Sequence, residues 1–320
     1  MHLLPVHPMH IPDGFLSTTV SLVLWVISVV VVGISLRRVR ENLAERQVPL
    51  MGMLAAAIFA GQMLNFAVAG GTSGHLMGAA IATILLGPWA AVIVMTCVVG
   101  VQALIFQDGG LLALGANIMN MGIIAVLVSH FAYRLLRKIS GDASWGILAG
   151  GFLAAWLSVE VSSLATALQI SISGTSPASL SIPAMGGVHA LIGIGEGLIT
   201  VGTLAFLYRV RRDLLQVSGS PSRNEKWIWI SGLILALVLI VVSPLASTHP
   251  DGLEWVAEKV GFLHAAREPL FSIIPDYILP GVSNETLATI AAGVIGLLIV
   301  TGVVAGLMFK RRRRGGSGQP

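Results

Sequence analysis

Read for hydropathy alone, the chain is a series of long apolar runs separated by short polar or glycine-rich breaks. An apolar helix needs about 20 residues to cross a hydrocarbon core about 30 Å thick. Residues 15–36, 50–69, 89–106, 111–136, 145–170, 189–208, 227–245 and 287–309 each meet that requirement. A further run, 75–86, lies between Gly70-Gly71-Thr72-Ser73-Gly74 and Gly87-Pro88. As a helix rising about 1.5 Å per residue it reaches only about 18 Å. The pattern predicts an all-α integral membrane protein.

Charge orients it. With nine crossings and the N-terminus outside, every Lys and Arg except Lys259 and Arg267 falls in or beside an inner loop or the C-terminal tail. That is the distribution the positive-inside rule demands. Omitting the short helix inverts everything after it and scatters the cations. The expectation is therefore nine transmembrane helices, seven plus two, with an outer N-terminus and a cytoplasmic C-terminus. The Ser/Arg-rich stretch 216–226 marks the boundary, so 9–215 forms one unit. Residues 216–320 form a second, with an outer loop at 246–286.

Composition agrees. Hydrophobic residues make up 55% of the chain and charged residues 11%, with mean hydropathy +0.87, against about 25% charged in an ordinary soluble domain. The formal net charge of +4 implies no nucleic-acid partner, because the basic run 310–314 sits where a topological anchor meets anionic lipid. Cys97 alone excludes a disulfide framework or thiolate cluster. The start of the chain lacks a signal-peptide pattern. None of Lys138, Lys226, Lys259 and Lys310 is followed by Ser or Thr, so no P-loop exists and pumping energy must come from elsewhere.

The candidate chemistry lies on the outer side. The Gly-rich stretch before His75 must dip below the outer interface, where irregular backbone is tolerated only inside protein or lining a cavity. Broken helices of this kind build binding sites in transporters. Met9-His10 precedes Pro12-Asp13-Gly14, a turn in which Asp13 is expected to cap the first helix, pinning His10 on the same side as His75. At a free terminus the amine, the next amide nitrogen and that residue's imidazole form adjacent chelate rings. One further imidazole closes a four-nitrogen plane suited to Ni(II) or Cu(II) and acceptable to Co(II). His189 is a possible additional ligand. Gln62 with Asn65 and Asn117 with Asn120 each share a helix face and either glue helices together or line the cavity. Glu160 and Glu196 are functional candidates by depth. His130 lies toward the inner end. Met51, Met53, Met63, Met77, Met119 and Met121 read mainly as core.

Two rivals stand beside metal capture. Gly71-Thr72-Ser73-Gly74 fits the G-x-S-G pattern of rhomboid-type intramembrane proteases, with Ser73 as nucleophile and His189 as base. A passive divalent-cation channel would want rings of carboxylates, and outer acids are few.

MHIPDGFLS, GGTSGHLMG, LGPWAA, QALIFQDGGLLALGANIMNMG and HALIGIGEGLIT, in that order over roughly residues 9–210, resemble the substrate-binding S component of energy-coupling-factor transporters for cobalt and nickel. HPDGLEW and IIPDY resemble the small two-helix partner with a PDGLE signature, here fused on. The resemblance implies a capture subunit for Co(II) or Ni(II) in the cell membrane, not an enzyme. Met9, His10 and His75 would be its metal ligands, and a transmembrane coupling subunit and two ATPases its partners. His189, Asn65 and Asn117 are secondary ligand candidates. In the family the Met-His pair is the mature terminus, so residues 1–8 are expected to be absent from the working protein. Met1, His2 and His7 are the competing set if they are retained.

Overall fold

The computed structural model describes all residues except 1–8, 43–46, 142, 211, 216–224 and 310–320. The extension with Met1, His2 and His7, the boundary stretch at 216–224 and the basic tail 310–314 thus lie outside the described residues. In chain order the elements are α1 (Thr18–Asn42), α2 (Gln47–Gln62), β1 (Asn65–Val68), β2 (Thr72–His75), α3 (Ala79–Leu86) and α4 (Pro88–Phe106). There follow α5 (Leu114–Ser140), α6 (Ser144–Ile172), α7 (Ala178–Val210), α8 (Glu225–Val242), α9 (Gly252–Val260) and α10 (Glu285–Phe309).

The protein is mostly helical and multi-pass. Among the described residues six helices are long and apolar enough to cross a membrane: α1, α4, α5, α6, α7 and α10. Shorter apolar helices cover Val48–Gln62 and Gly232–Leu245. Exposed Leu22, Val26 and Val30 on α1 face outward, as lipid-facing apolar residues do. The last turn of α4 (Gln102–Phe106) and the stretch Ile118–Ile124 of α5 are π-helical, a distortion common at functional sites. Between them runs the Gln107–Gly110 segment that anchors the site.

Three expectations are corrected. The fold is not all-α: residues 65–75 form an antiparallel hairpin pairing Asn65 with His75 and Val68 with Thr72. Gly70 and Gly71, both at positive φ, make its turn. His75 therefore ends a strand, and α3 begins only at Ala79; eight residues of helix give about 12 Å. The hairpin replaces the irregular loop because strand pairing satisfies main-chain groups that would otherwise be orphaned at this depth. Asp13 does not cap α1: Ser17 Oγ accepts from Val20 N at 3.4 Å there, while Asp13 accepts from Leu111 N and Ala113 N at 3.2 and 3.0 Å. Finally, α7 begins at Ala178 rather than 189 and carries Pro183 inside it, where the missing N–H leaves the Ser179 carbonyl without its helical bond.

Segment 246–286 is docked rather than trailing. Ser73 N donates to Pro250 O at 2.8 Å, Arg267 N to Asp13 O at 2.7 Å and Ile274 N to Ile105 O at 3.0 Å. These contacts place the N-terminal strap 9–14, the hairpin and the C-terminal unit's loop at one end of the bundle.

Candidate metal site

The strap is held by main-chain bonds that need glycine. Gly110 N donates to Ile11 O at 2.9 Å, and a Cβ on Gly110 would fall on the Asp13 carboxylate and amide. Gly109, at φ 95°, leaves 2.8 Å between such a Cβ and Asn117 Nδ2 and 3.0 Å to His10 Cβ. Asn117 completes the clamp: its Oδ1 accepts from Ile11 N and its Nδ2 donates to Ile11 O, both at 3.1 Å. Its amide is engaged at both ends in holding the strap.

Asp108 stands at the centre. Its Oδ1 accepts from Met9 N at 2.9 Å and lies 3.2 Å from His10 Nδ1; its Oδ2 accepts from the Tyr277 hydroxyl at 2.6 Å. His10 is buried, at 3% exposure, and its Nε2 has no hydrogen-bond partner. A carboxylate on one imidazole nitrogen with the other nitrogen open is the arrangement that orients metal-binding histidines. The His10 ring meets the His75 ring edge-on, centroids 5.5 Å apart. His75 Nδ1 lies 3.2 Å from Leu76 O.

The electrostatics divide the two histidines. Burial pushes His75 down to about 4, helped by the charge on His10, so this imidazole is neutral and free of competing protons. Burial also opposes charge on His10, but the Asp108 carboxylate outweighs it and holds His10 above its ordinary value. Burial opposes the Asp108 charge as well; the His10 charge and the hydrogen bonds from His10 and Tyr277 bring its carboxyl below the usual range.

A cavity of about 90 Å³ opens beside these rings, room for an ion with several waters. Met9, His10, His75 and His189 line it, as does Asp251. His189 Nδ1 lies 2.8 Å from Met185 O. A Cβ on Gly252 would come within 2.7 Å of Ile192 Cδ1 and 2.9 Å of the His189 ring, so a larger residue here would displace that imidazole or Ile192. Asp251 caps α9, accepting from Glu254 N at 2.7 Å, and burial raises its carboxyl to about 8. Asn65 is not among the lining residues; its main-chain oxygen accepts from Ser247 N at 2.8 Å. Among the described residues no three His, Cys, Asp or Glu side chains are placed to hold one ion together.

Other candidates have structural duties. Glu196 Oε2 and Oε1 accept from Met77 N and Gly78 N at 2.8 and 2.9 Å, supplying the cap that α3 lacks locally. Asn120 bonds Thr166 and Gln169 across helices, and Gln62 Nε2 donates to Met77 O. Glu160 Oε2 is buried without a partner. His130 lies 3.4 Å from Arg134 on an exposed face. Ser73 Oγ donates to His249 O at 2.8 Å, so the serine is tied to a main-chain carbonyl and not to an imidazole base. This arrangement does not favour the protease reading. Asp108, Asp251 and Tyr277 were not singled out from sequence; an Asp in Q-D-G-G between two apolar runs was the available signal.

The profile of the family described as cobalt uptake substrate-specific transmembrane region matches residues 10–214, and that of the PDGLE domain matches 226–313. A putative fused nickel transport protein NikMN of Archaeoglobus fulgidus is 35% identical over 307 residues, covering 91% of this chain and 95% of the relative. The fused nickel transport protein NikMN of Rhodobacter capsulatus is 30% identical over 351 residues, covering 96% and 100%. A crystal structure of a truncated transition metal transporter aligns with TM-score 0.56 at 32% identity, covering 62% of this chain and 98% of that one. The chain belongs to the cobalt- and nickel-type substrate-specific transmembrane family, fused to a PDGLE domain.

Proposed function

We propose that this chain captures Co(II) or Ni(II) on the outer side of the membrane and delivers it to an ATP-driven importer of the energy-coupling-factor type. Met9, His10 and His75 are the principal donors. The observation that carries this is the buried, unpartnered Nε2 of His10 beside the His75 ring, with Asp108 on the opposite nitrogen. His189 faces the same cavity as a lesser donor. A transmembrane coupling subunit and two ATPases supply the energy.

The topology we propose has nine crossings, N-terminus out and C-terminus in, with units at 9–215 and 216–320. The contacts of the strap, hairpin and 246–286 loop at one end support it, because Lys259 and Arg267 fall on that loop while Arg37, Arg134 and Arg137 lie at distant helix ends. The working terminus we propose is Met9, whose nitrogen then carries a lone pair that a peptide bond would delocalise. Metal uptake by cells with and without the partner ATPases tests the proposal. The wild type accumulates Ni(II) or Co(II) only with the ATPases, and His75→Ala does not accumulate it. Unchanged uptake by His75→Ala would overturn the assignment.

A further inference from the structure

We infer that Tyr277, contributed by the PDGLE unit, is a positioning residue for the metal site: its hydroxyl fixes the Asp108 carboxylate, and Asp108 in turn fixes the Met9-His10 strap. This rests on the metal-capture reading above and adds to it a role for one hydroxyl of the C-terminal unit.

The two Asp108 oxygens divide the work. Oδ2 takes the Tyr277 O–H at 2.6 Å; Oδ1 faces Met9 N at 2.9 Å and His10 Nδ1 at 3.2 Å. A hydrogen bond of that length to a carboxylate is charge-assisted and strongly directional. With Oδ2 held, rotation of the carboxylate is blocked and Oδ1 stays aimed at both strap nitrogens. Asp108 is itself set by Asp108 N donating to Gln102 O at 3.1 Å, across the π-helical end of α4.

Tyr277 is held with matching care. Its ring stacks on Phe106 at 4.7 Å and 14° and leans on Phe59 at 6.1 Å. Ile273 N donates to Gln107 Oε1 at 3.1 Å and Ile274 N to Ile105 O at 3.0 Å. Among the described residues the non-glycine positions at positive φ are Gln107, Asp276 and Tyr277, and all of them are at this junction. Such strain persists only where surroundings over-determine it, and it concentrates at ligand clamps. A residue needed only to fill an apolar wall would require neither the hydroxyl nor the turn that delivers it.

The test uses the full chain in detergent with Ni(II) as probe. Tyr277→Phe keeps the ring and removes the hydroxyl. Losing a group that orients a metal ligand costs about 10–100-fold in affinity, so Ni(II) dissociates faster by that factor and its ligand-field spectrum shifts. In an Asp108→Asn background the same substitution adds little, because its effect runs through Asp108. Leu270→Ala, on an exposed part of the same loop, leaves Ni(II) dissociation unchanged. Wild-type dissociation and spectrum in Tyr277→Phe, with binding still lost in His75→Ala, would overturn the inference and leave the metal site standing. Wild-type protein without His75-dependent Ni(II) binding would overturn both. Full, additive loss from Tyr277→Phe in the Asp108→Asn background would also overturn it.

Discussion

Glu196 gives the sharpest division between a carboxylate that transports and one that builds. It is fully buried, and its oxygens accept from the main-chain N–H groups of Met77 and Gly78 at 2.8 and 2.9 Å. Those groups precede α3, whose N-cap Gly78 has no side chain to offer. Leaving a buried donor without its acceptor costs about 1–3 kcal/mol. Glu196→Gln keeps one acceptor and turns an amide N–H₂ toward the second donor, so it should lose about one such bond, about 1–3 kcal/mol. Glu196→Ala loses both and should cost about twice as much, a large fraction of a total stability of about 5–15 kcal/mol. The assay is unfolding of the detergent-solubilised chain, measured first without metal and then across a Ni(II) series. Capping predicts the loss in the absence of metal. Stability of the Gln variant within about 0.5 kcal/mol of wild type, the range of inconsequential surface changes, would refute it. A defect visible only with Ni(II) present would instead assign Glu196 to the ion's path.

Gly110→Ala places a methyl group against Asp13 and should cost about 1–3 kcal/mol by overpacking. Because it lifts the strap carrying His10, Ni(II) affinity should fall at least about tenfold, at the low end of the range for disturbing a ligand's support. Gly100→Ala, where an added Cβ meets nothing within 4 Å, is the control, and equal titrations for both variants would refute the strap reading. For pH, His10 holds its proton above the ordinary imidazole value and His75 only below about 4, so of the two imidazoles only His10 has a proton for the ion to displace near neutral pH. Ni(II) affinity should rise as pH climbs through the His10 value, and in a chain beginning at Met9 it should go on rising until the amine is deprotonated; isothermal titration at several pH values checks this, and a midpoint near 4 would contradict it.

Much of the fold was legible because lipid imposes a length and a composition on any helix that crosses it. The apolar runs at 89–106 and 145–170 reappear as α4 and α6 with ends moved by only a residue or two. What hydropathy could not see was the hairpin: Asn65–Val68 continues the apolar character of α2, and only the left-handed glycines at 70 and 71 betray the turn. At the site, His10 and His75 were visible because a Met-His pair offers adjacent chelate rings and because glycines before His75 let the chain close around a small ligand. Asp13 was misread, since a turn residue before a helix has a plausible cap in sequence while its real partners, Leu111 N and Ala113 N, lie far along the chain. Asp251 and Tyr277 escaped for the same reason: the docking that brings them to the site leaves no local periodicity.

The position of Asp108 bears on which nitrogens meet the ion. A chelate running through the Met9 nitrogen, the His10 amide and the His10 ring must use Nδ1, the nitrogen now beside Asp108 at 3.2 Å. Capture through Nε2 leaves that contact intact and uses the open nitrogen facing His75. As an amide, Met9 N has a proton to give and a lone pair delocalised into the peptide bond, and it gives that proton to Asp108 at 2.9 Å. As a terminal amine in the same place it would pair with Asp108 when protonated and turn donor when the ion displaces the proton. The carboxylate that orients the strap thus also stabilises the protons the ion must displace, from His10 and, in a chain beginning at Met9, from the amine. Affinity and proton release are therefore set by one residue, and by whatever holds that residue in place.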